Sequence, residues 1–331
     1  MSSSNQAPYP IHRALSDGWE TSKPTGRHTK FSTWFKSAAL LLLLAASLPL
    51  FAKTSFETPE WTTPIAPFRI AGNLYYVGSQ DLAAYLIVTP QGDILINSNL
   101  ESSVPQIKHS IETLGFKLTD VKILLISQGH FDHCAGSAAL LKLTRAKYYV
   151  MDADVSVVEF GGKTDFAYAN QPDMHFPPAK VDRILHDGSK VSLGGTTLTA
   201  HLTAGHNRGT TTWTLDETEF GPSGLPGAEG HRTLHAVIVG GPNVNSGYKL
   251  VGNAVYPSIA SDYRSGFATL RSLPCDLFLG AHGGYFDLDA KLPRFLAGDR
   301  DAFIDPAGYK AYIDDRERAF QAELAHQQSG K

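Results

Sequence analysis

The chain has 331 residues, 42% of them hydrophobic and 18% charged, with a net charge of −3 at pH 7. That length and apolar share support a large packed core and exclude a disordered or collagen-like chain. The near-neutral charge gives no support for nucleic-acid binding, which needs a basic face, and two cysteines exclude a disulfide scaffold or a four-cysteine zinc site.

Residues 1–37 are polar and hold five Lys/Arg against two Asp/Glu. Ala38–Ala52 (AALLLLLAASLPLFA) carries no charge. As a helix it spans about 22 Å, short of the roughly 30 Å of a bilayer core. It reads as the h-region of a secretory signal with a long n-region, ending at a small residue, Ala52. A retained anchor is the alternative. No cysteine follows to carry a lipid. The chain thus divides into a leader over 1–52 and one domain over 53–331. Removing the five basic and two acidic residues of the leader leaves 24 Lys/Arg and 30 Asp/Glu, a net of −6. A mildly acidic exported domain of this kind does not seek phosphate or anionic lipid.

Further on, Asn73–Val77 and Ala84–Val88 read as strands, and Pro90-Gln91-Gly92 turns the chain into Ile94–Ile96. Ile107, Ile111 and Leu114 recur at helical spacing. Val121–Ser127 (VKILLIS) is a short β-branched apolar run, expected to be a buried strand. Ser137–Leu143 reads as a helix and Lys147–Met151 as a strand. Lys190–Leu193 and Thr197–Leu202 flank Gly194-Gly195 as a hairpin. Thr210–Leu215 and His235–Val239 read as strands around a Gly/Pro-rich loop at 221–230. Ile259, Tyr263, Phe267, Leu270 and Leu273 form a helical stripe, and Asp276–Gly280 follows as a strand. Asp305-Pro306 caps a last helix with Tyr309, Tyr312, Ile313, Phe320 and Leu324 on one face. Strands and helices in both halves predict an α/β chain with two sheets sandwiched between helices.

The chemistry concentrates at strand ends. Gln128-Gly129-His130-Phe131-Asp132-His133 follows the apolar run 121–127 directly. Ligands at the mouth of a strand sit on a rigid support and converge outside the sheet. The competing reading makes Asp132 a helix cap and the histidines loop residues. His206 closes TLTAHLTAGH and His282 closes CDLFLGAH, each just past a strand. Alone, either suits a structural histidine as well as a ligand. Their shared position at strand ends favours one metal centre. His109, His175, His186, His201, His231, His235 and His326 are taken as structural or surface residues.

These segments resemble the metallo-β-lactamase superfamily, whose signature is H-x-H-x-D-H plus two later histidines. More narrowly, the chain resembles subclass B3, through VMDADVSVVEFGGK, PPAKVDRILHDGSKVSLGG, LTAHLTAGHNRGTTTW, GYKL and CDLFLGAHGGYFDL over roughly residues 64–325. The resemblance implies the four-layer αβ/βα sandwich and a zinc hydrolase opening the β-lactam ring of penicillins, cephalosporins or carbapenems. It implies one zinc on Gln128, His130 and His206 and a second on Asp132, His133 and His282. A water bound to zinc is then the nucleophile, because zinc lowers its pKa to about 7. By the same resemblance Asp132 orients that water and passes a proton to the departing nitrogen. Tyr248 matches a tyrosine that stabilises the developing oxyanion; its other reading is a core aromatic.

Several positions depart from the pattern. Gln128 stands where the signature has histidine, as in some members of the subclass. A neutral amide oxygen is a weaker zinc donor than imidazole. The Asp132/His133/His282 set is therefore expected to bind more tightly, with one or two zincs per chain. Val237–Asn243 (VIVGGPN) lacks the bridging aspartate of thioesterase relatives. Where subclass members place serines that meet the substrate carboxylate, this chain has Gly241, with no side chain, and Asn243, which still donates a hydrogen bond. Cys275 aligns with a cysteine whose usual partner position is here Tyr309. Cys134 is expected to be a buried small hydrophobe and Asn97 a structural residue. In the loop 160–176, Phe166 and Tyr168 are expected as an apolar wall for the substrate, or as packing beneath the loop. The expected protein is a periplasmic monomer that binds no nucleic acid and, once cleaved, no membrane. The alternatives are a related ester, lactone or thioester hydrolase and a catalytically silent metal-binding scaffold.

Overall fold

Alternation of apolar side chains along the strands decides which side of each sheet they face. The computed structural model describes residues 57–219 and 232–330. The leader at 1–52, the loop 221–230 and His231 lie outside the described residues. Among the described residues no helix is long and apolar enough to cross a membrane.

β1 (Phe68–Ala71), β2 (Leu74–Tyr76), β3 (Tyr85–Ile87), β4 (Asp93–Ile96), β5 (Val121–Leu125), β6 (Lys147–Met151) and β7 (Arg183–Leu185) form one sheet in that order. β1 to β4 pair antiparallel and β4 to β7 parallel. The parallel pairs need crossovers. These are α1 (Val104–Thr113), α2 (Phe131–Cys134) with α3 (Ser137–Thr144), and α4 (Asp152–Glu159). The second sheet is built from β8 (Lys190–Leu193), β9 (Thr196–Leu202), β10 (Thr211–Glu219), β11 (Arg232–Val239) and β12 (Leu277–Gly280). Its strands pair antiparallel except β11 with β12. α5 (Ile259–Ser272), α6 (Leu288–Leu296) and α7 (Pro306–Gln328) complete the chain.

Ile94, Ile96, Ile123 and Leu125 join the core between the sheets with Trp213, Val237 and Val239. Leu95, Val121 and Leu124 point the other way, onto Ile107 and Ile111 of α1, Leu140 of α3 and Val157 of α4. On the second sheet Phe278 meets Tyr309 and Tyr312 of α7, at 5.4 and 5.6 Å between rings. Phe320 of α7 in turn stacks on Tyr263 of α5 at 5.0 Å. The layers therefore run helix, sheet, sheet, helix, as the α/β sandwich reading requires. Asp305 caps α7 as expected, accepting from Gly308 N at 2.8 Å.

Several elements were not legible beforehand. β1 and β7 are short edge strands with exposed positions, so neither carries an uninterrupted apolar signal. α4 starts immediately after β6, with two acidic residues in its first turn, and α6 contains Pro293. The expected strand 121–127 ends at Leu125, which frees the next residues to turn into the site.

Candidate metal centre

The loop after β5 presents Gln128, His130, Asp132 and His133; His206 lies beyond β9 and His282 beyond β12. α2 opens directly after His130, so Asp132 and His133 sit in its single turn. Asp132 does not cap that helix: the N-cap is His130, with no side-chain cap bond. The capping reading therefore fails.

Asp132, His133 and His282 each offer a ligand atom, all within 4.8 Å of one another. Asp132 Oδ2 lies 3.3 Å from His133 Nε2 and 3.4 Å from His282 Nε2. The rings of His130 and His206 lie 4.9 Å apart beside this set. Gln128 is buried, its Nε2 donating to Gly240 O at 3.4 Å, while its Oε1 has no hydrogen-bond partner. A Cβ on Gly241 would stand 3.3 Å from Gln128 Nε2 and 3.8 Å from His206 Cδ2, so Gln128 and His206 flank the same residue. Buried polar atoms left without a hydrogen-bond partner call for an explanation, which a bound metal ion would supply. Gln128 Oε1 and both nitrogens of His133 are such atoms. Imidazole, carboxylate and amide donors in these groupings fit zinc.

Acceptors behind the histidines fix their orientation. His206 Nδ1 donates to Asn243 O at 2.7 Å, which leaves Nε2 as the free lone pair of a neutral ring. His282 Nδ1 faces Asp81 Oδ2 at 2.8 Å, and Asp81 Oδ1 accepts from Gly284 N at 3.0 Å. His130 Nε2 lies 3.4 Å from Asp165 Oδ2, close enough to attract though not aligned as a hydrogen bond. Asp165 is itself fixed by the N–H groups of Ala167 and Tyr168, both at 2.8 Å. Buried Asp154 clamps two ligand loops, accepting from Gly129 N at 2.7 Å and Gly209 N at 3.1 Å. Gly209 must be glycine for that approach, because a Cβ there would fall 2.4 Å from Asp154 Cγ.

The electrostatics follow from burial and these partners. Burial pushes His206 down to about 3 and also lowers His133, so both are neutral and ready to ligate. Burial opposes charge on Asp132, but His133 and His282 outweigh it and hold the carboxyl well below its usual range. His282 rises to about 9: burial works against its charge, and Asp132 and Asp81 overcome that. Burial lifts Asp154 to about 7.

Of the donors, His130, Asp132, His206 and His282 line a cavity of about 370 Å³ together with Trp61, Phe131, Tyr168, Asn243, Asn245 and Tyr285, while Gln128 and His133 are buried behind it. Tyr168 lines the cavity, its ring 5.1 Å from His130. Asn243 lines the cavity too. Phe166 does not: it packs beneath the loop on Tyr248 and Tyr256, at 5.1 and 4.9 Å between rings. Tyr248 is also buried, and its hydroxyl donates to His206 O at 2.9 Å rather than into the cavity. The core-aromatic reading suits both residues. Cys134 is buried with Sγ 3.1 Å from His130 O, and both Cys134 and Cys275 are free thiols. Asn97 is structural, its side chain joining Ser127 N and Ala83 O. Asp81, Asp154, Asp165 and Tyr285 had no signal in sequence, because each meets the ligands only through the fold.

The family model of the metallo-β-lactamase superfamily matches residues 82–220. The native FEZ-1 metallo-β-lactamase of Legionella gormanii is 54% identical, covering 80% of this chain and 98% of that one with a TM-score of 0.77. The chain belongs to the metallo-β-lactamase superfamily. Within that superfamily it matches proteins of subclass B3. BJP-1 of Bradyrhizobium japonicum, a subclass B3 metallo-β-lactamase, is 33% identical over 82% of this chain and 98% of that one, with a TM-score of 0.73. The class B3 di-zinc metallo-β-lactamase LRA-12 from an Alaskan soil metagenome is 34% identical over 81% and 97%, with a TM-score of 0.75.

Proposed function

We propose that this chain is a zinc-dependent β-lactamase that hydrolyses the lactam amide of penicillins, cephalosporins or carbapenems. The observation that carries this reading is the convergence of His130, Asp132, His206 and His282 on one cavity, with buried His133 grouped with Asp132 and His282 behind it and buried Gln128 against Gly241, inside a chain with metallo-β-lactamase relatives. Gln128, His130 and His206 would hold one zinc, and Asp132, His133 and His282 the other. Zinc supplies an activated water and a Lewis acid for the lactam carbonyl.

The chain's own residues do the rest. Asp132, held ionised by its two histidine neighbours, carries a proton from the attacking water to the departing nitrogen. Trp61 and Tyr168 wall the substrate, and Asn243 offers it a side-chain amide. Tyr248 steadies His206 through its carbonyl. The set containing the carboxylate is the tighter one, because the other relies on a neutral amide oxygen. Residues 1–52 are read as a leader that sends the domain over 53–331 to the periplasm as a monomer.

The test is hydrolysis of nitrocefin and imipenem by residues 53–331 with added zinc, repeated after EDTA, with a lactone and a thioester in parallel. Zinc-dependent lactam turnover is expected. Lactone or thioester turnover without lactam turnover would move the activity to another branch of the superfamily.

A further inference from the structure

Penicillins, cephalosporins and carbapenems all carry a carboxylate beside the lactam ring. Among the described residues neither Lys nor Arg lines the cavity, so away from the metal centre the anion has only neutral side-chain donors to meet. Arg316 lines a neighbouring cavity of about 300 Å³ that shares Asn243 and Asn245, but it is paired with Asp315. Among the neutral candidates, Asn245 Nδ2 gives one of its two N–H groups to the Tyr168 hydroxyl at 2.8 Å, and Tyr168 in turn pairs with Tyr248.

Tyr285 is different. Its hydroxyl accepts from Asn243 Nδ2 at 3.1 Å, and among the described residues nothing accepts its own proton. The ring is held between His282 at 5.0 Å and Tyr312 at 5.3 Å, so the phenol has little freedom. The oxygen also fills space that Gly241 leaves open: a Cβ on Gly241 would stand 3.2 Å from it. Gly241 has φ +141°, which further disfavours a side chain there. The loop after β12 thus delivers a hydroxyl to a place where the loop after β11 has no side chain.

We infer that Tyr285, polarised by Asn243, donates the hydrogen bond that receives the substrate carboxylate. The inference rests on the β-lactamase reading of the same site. A phenol that already accepts from an amide is a stronger donor through its own proton. A neutral pair also binds the anion without placing a second cation beside the metal centre.

The test compares benzylpenicillin with its methyl ester in the zinc-loaded protein, in Tyr285→Phe and in Asn243→Asp. Wild type is expected to bind the acid better than the ester. Tyr285→Phe should raise KM for the acid about ten-fold, leave KM for the ester near wild type, and change kcat little, as for one hydrogen bond to a charged group. Asn243→Asp sets a like charge beside the phenol and should weaken the acid but not the ester. Binding of hydrolysed benzylpenicillin, followed by tryptophan fluorescence, should weaken in step in both variants. An unchanged ratio of acid to ester KM in Tyr285→Phe overturns the inference. If that variant does not fold, an unchanged ratio in Asn243→Asp overturns it instead. Wild-type turnover of neither compound removes the β-lactamase reading and this inference with it, whereas turnover of both without preference removes the inference alone.

Discussion

Glu217 offers a clean test of burial at the far end of β10 from the metal centre. It is 1% exposed, its Oε2 accepts from Asn73 N at 3.1 Å, and its Oε1 has no hydrogen-bond partner. Burial pushes its carboxyl from 4.5 up to about 7. The folded state therefore binds the proton more tightly than the unfolded state. The penalty is absent below the unfolded pKa, grows as pH rises through 5 and 6, and is complete above about 7. The difference between 4.5 and about 7, at 1.36 kcal/mol per pH unit, is roughly 3 kcal/mol. Glu217→Gln keeps an oxygen for Asn73 N and removes the charge. It should be more stable than wild type by up to about 3 kcal/mol at pH 8 and about equal to it at pH 4.5. Urea unfolding of both proteins at the two pH values, in the same zinc concentration, measures the gap. A gap of equal size at pH 4.5 and pH 8 would refute the reasoning, because ionisation would then not be its source. Lactam turnover by the variant should stay at the wild-type level.

Other perturbations address the centre itself. Asp81→Ala strips His282 Nδ1 of its acceptor and should weaken zinc binding about 10- to 100-fold, read by competition with a chelating dye. Gln128→His exchanges an amide oxygen for an imidazole; dialysed protein should then retain more zinc than wild type, and equal retention would argue against the asymmetry between the two sets. Phe166→Ala removes a ring packed on Tyr248 and Tyr256; it should cost about 2 kcal/mol or more in unfolding experiments, with the larger loss in stability rather than in KM.

The chain showed in advance what depends on sequence-local signals. VKILLIS before Gln128–His133 announced a buried strand feeding a ligand loop, and β5 with its following turn has that form. His206 and His282 were legible because each follows an apolar run, and strand ends are where side chains leave the sheet. Direction was not legible. Phe166 and Tyr168 are neighbours in one loop, yet only Tyr168 faces the cavity, because Asp165 holds the backbone N–H groups of Ala167 and Tyr168 and so sets the loop's path. Tyr248 matched a motif, but its hydroxyl found a nearer acceptor in the His206 carbonyl. Asp81 lies 201 residues from the histidine it orients, a distance no spacing rule bridges.

Each donor set draws on both sheets. Gln128 and His130 hang from β5 in the first sheet while His206 follows β9 in the second; Asp132 and His133 belong to the first while His282 follows β12 in the second. An ion bound in either set would rivet one sheet to the other. Ligand that binds only the folded state adds about 4 kcal/mol when present at a thousand times its dissociation constant. Starving the protein of zinc would then do more than silence it. It would loosen the seam of the sandwich, raise the fraction open to proteases, and tie the protein's lifetime to the supply of metal.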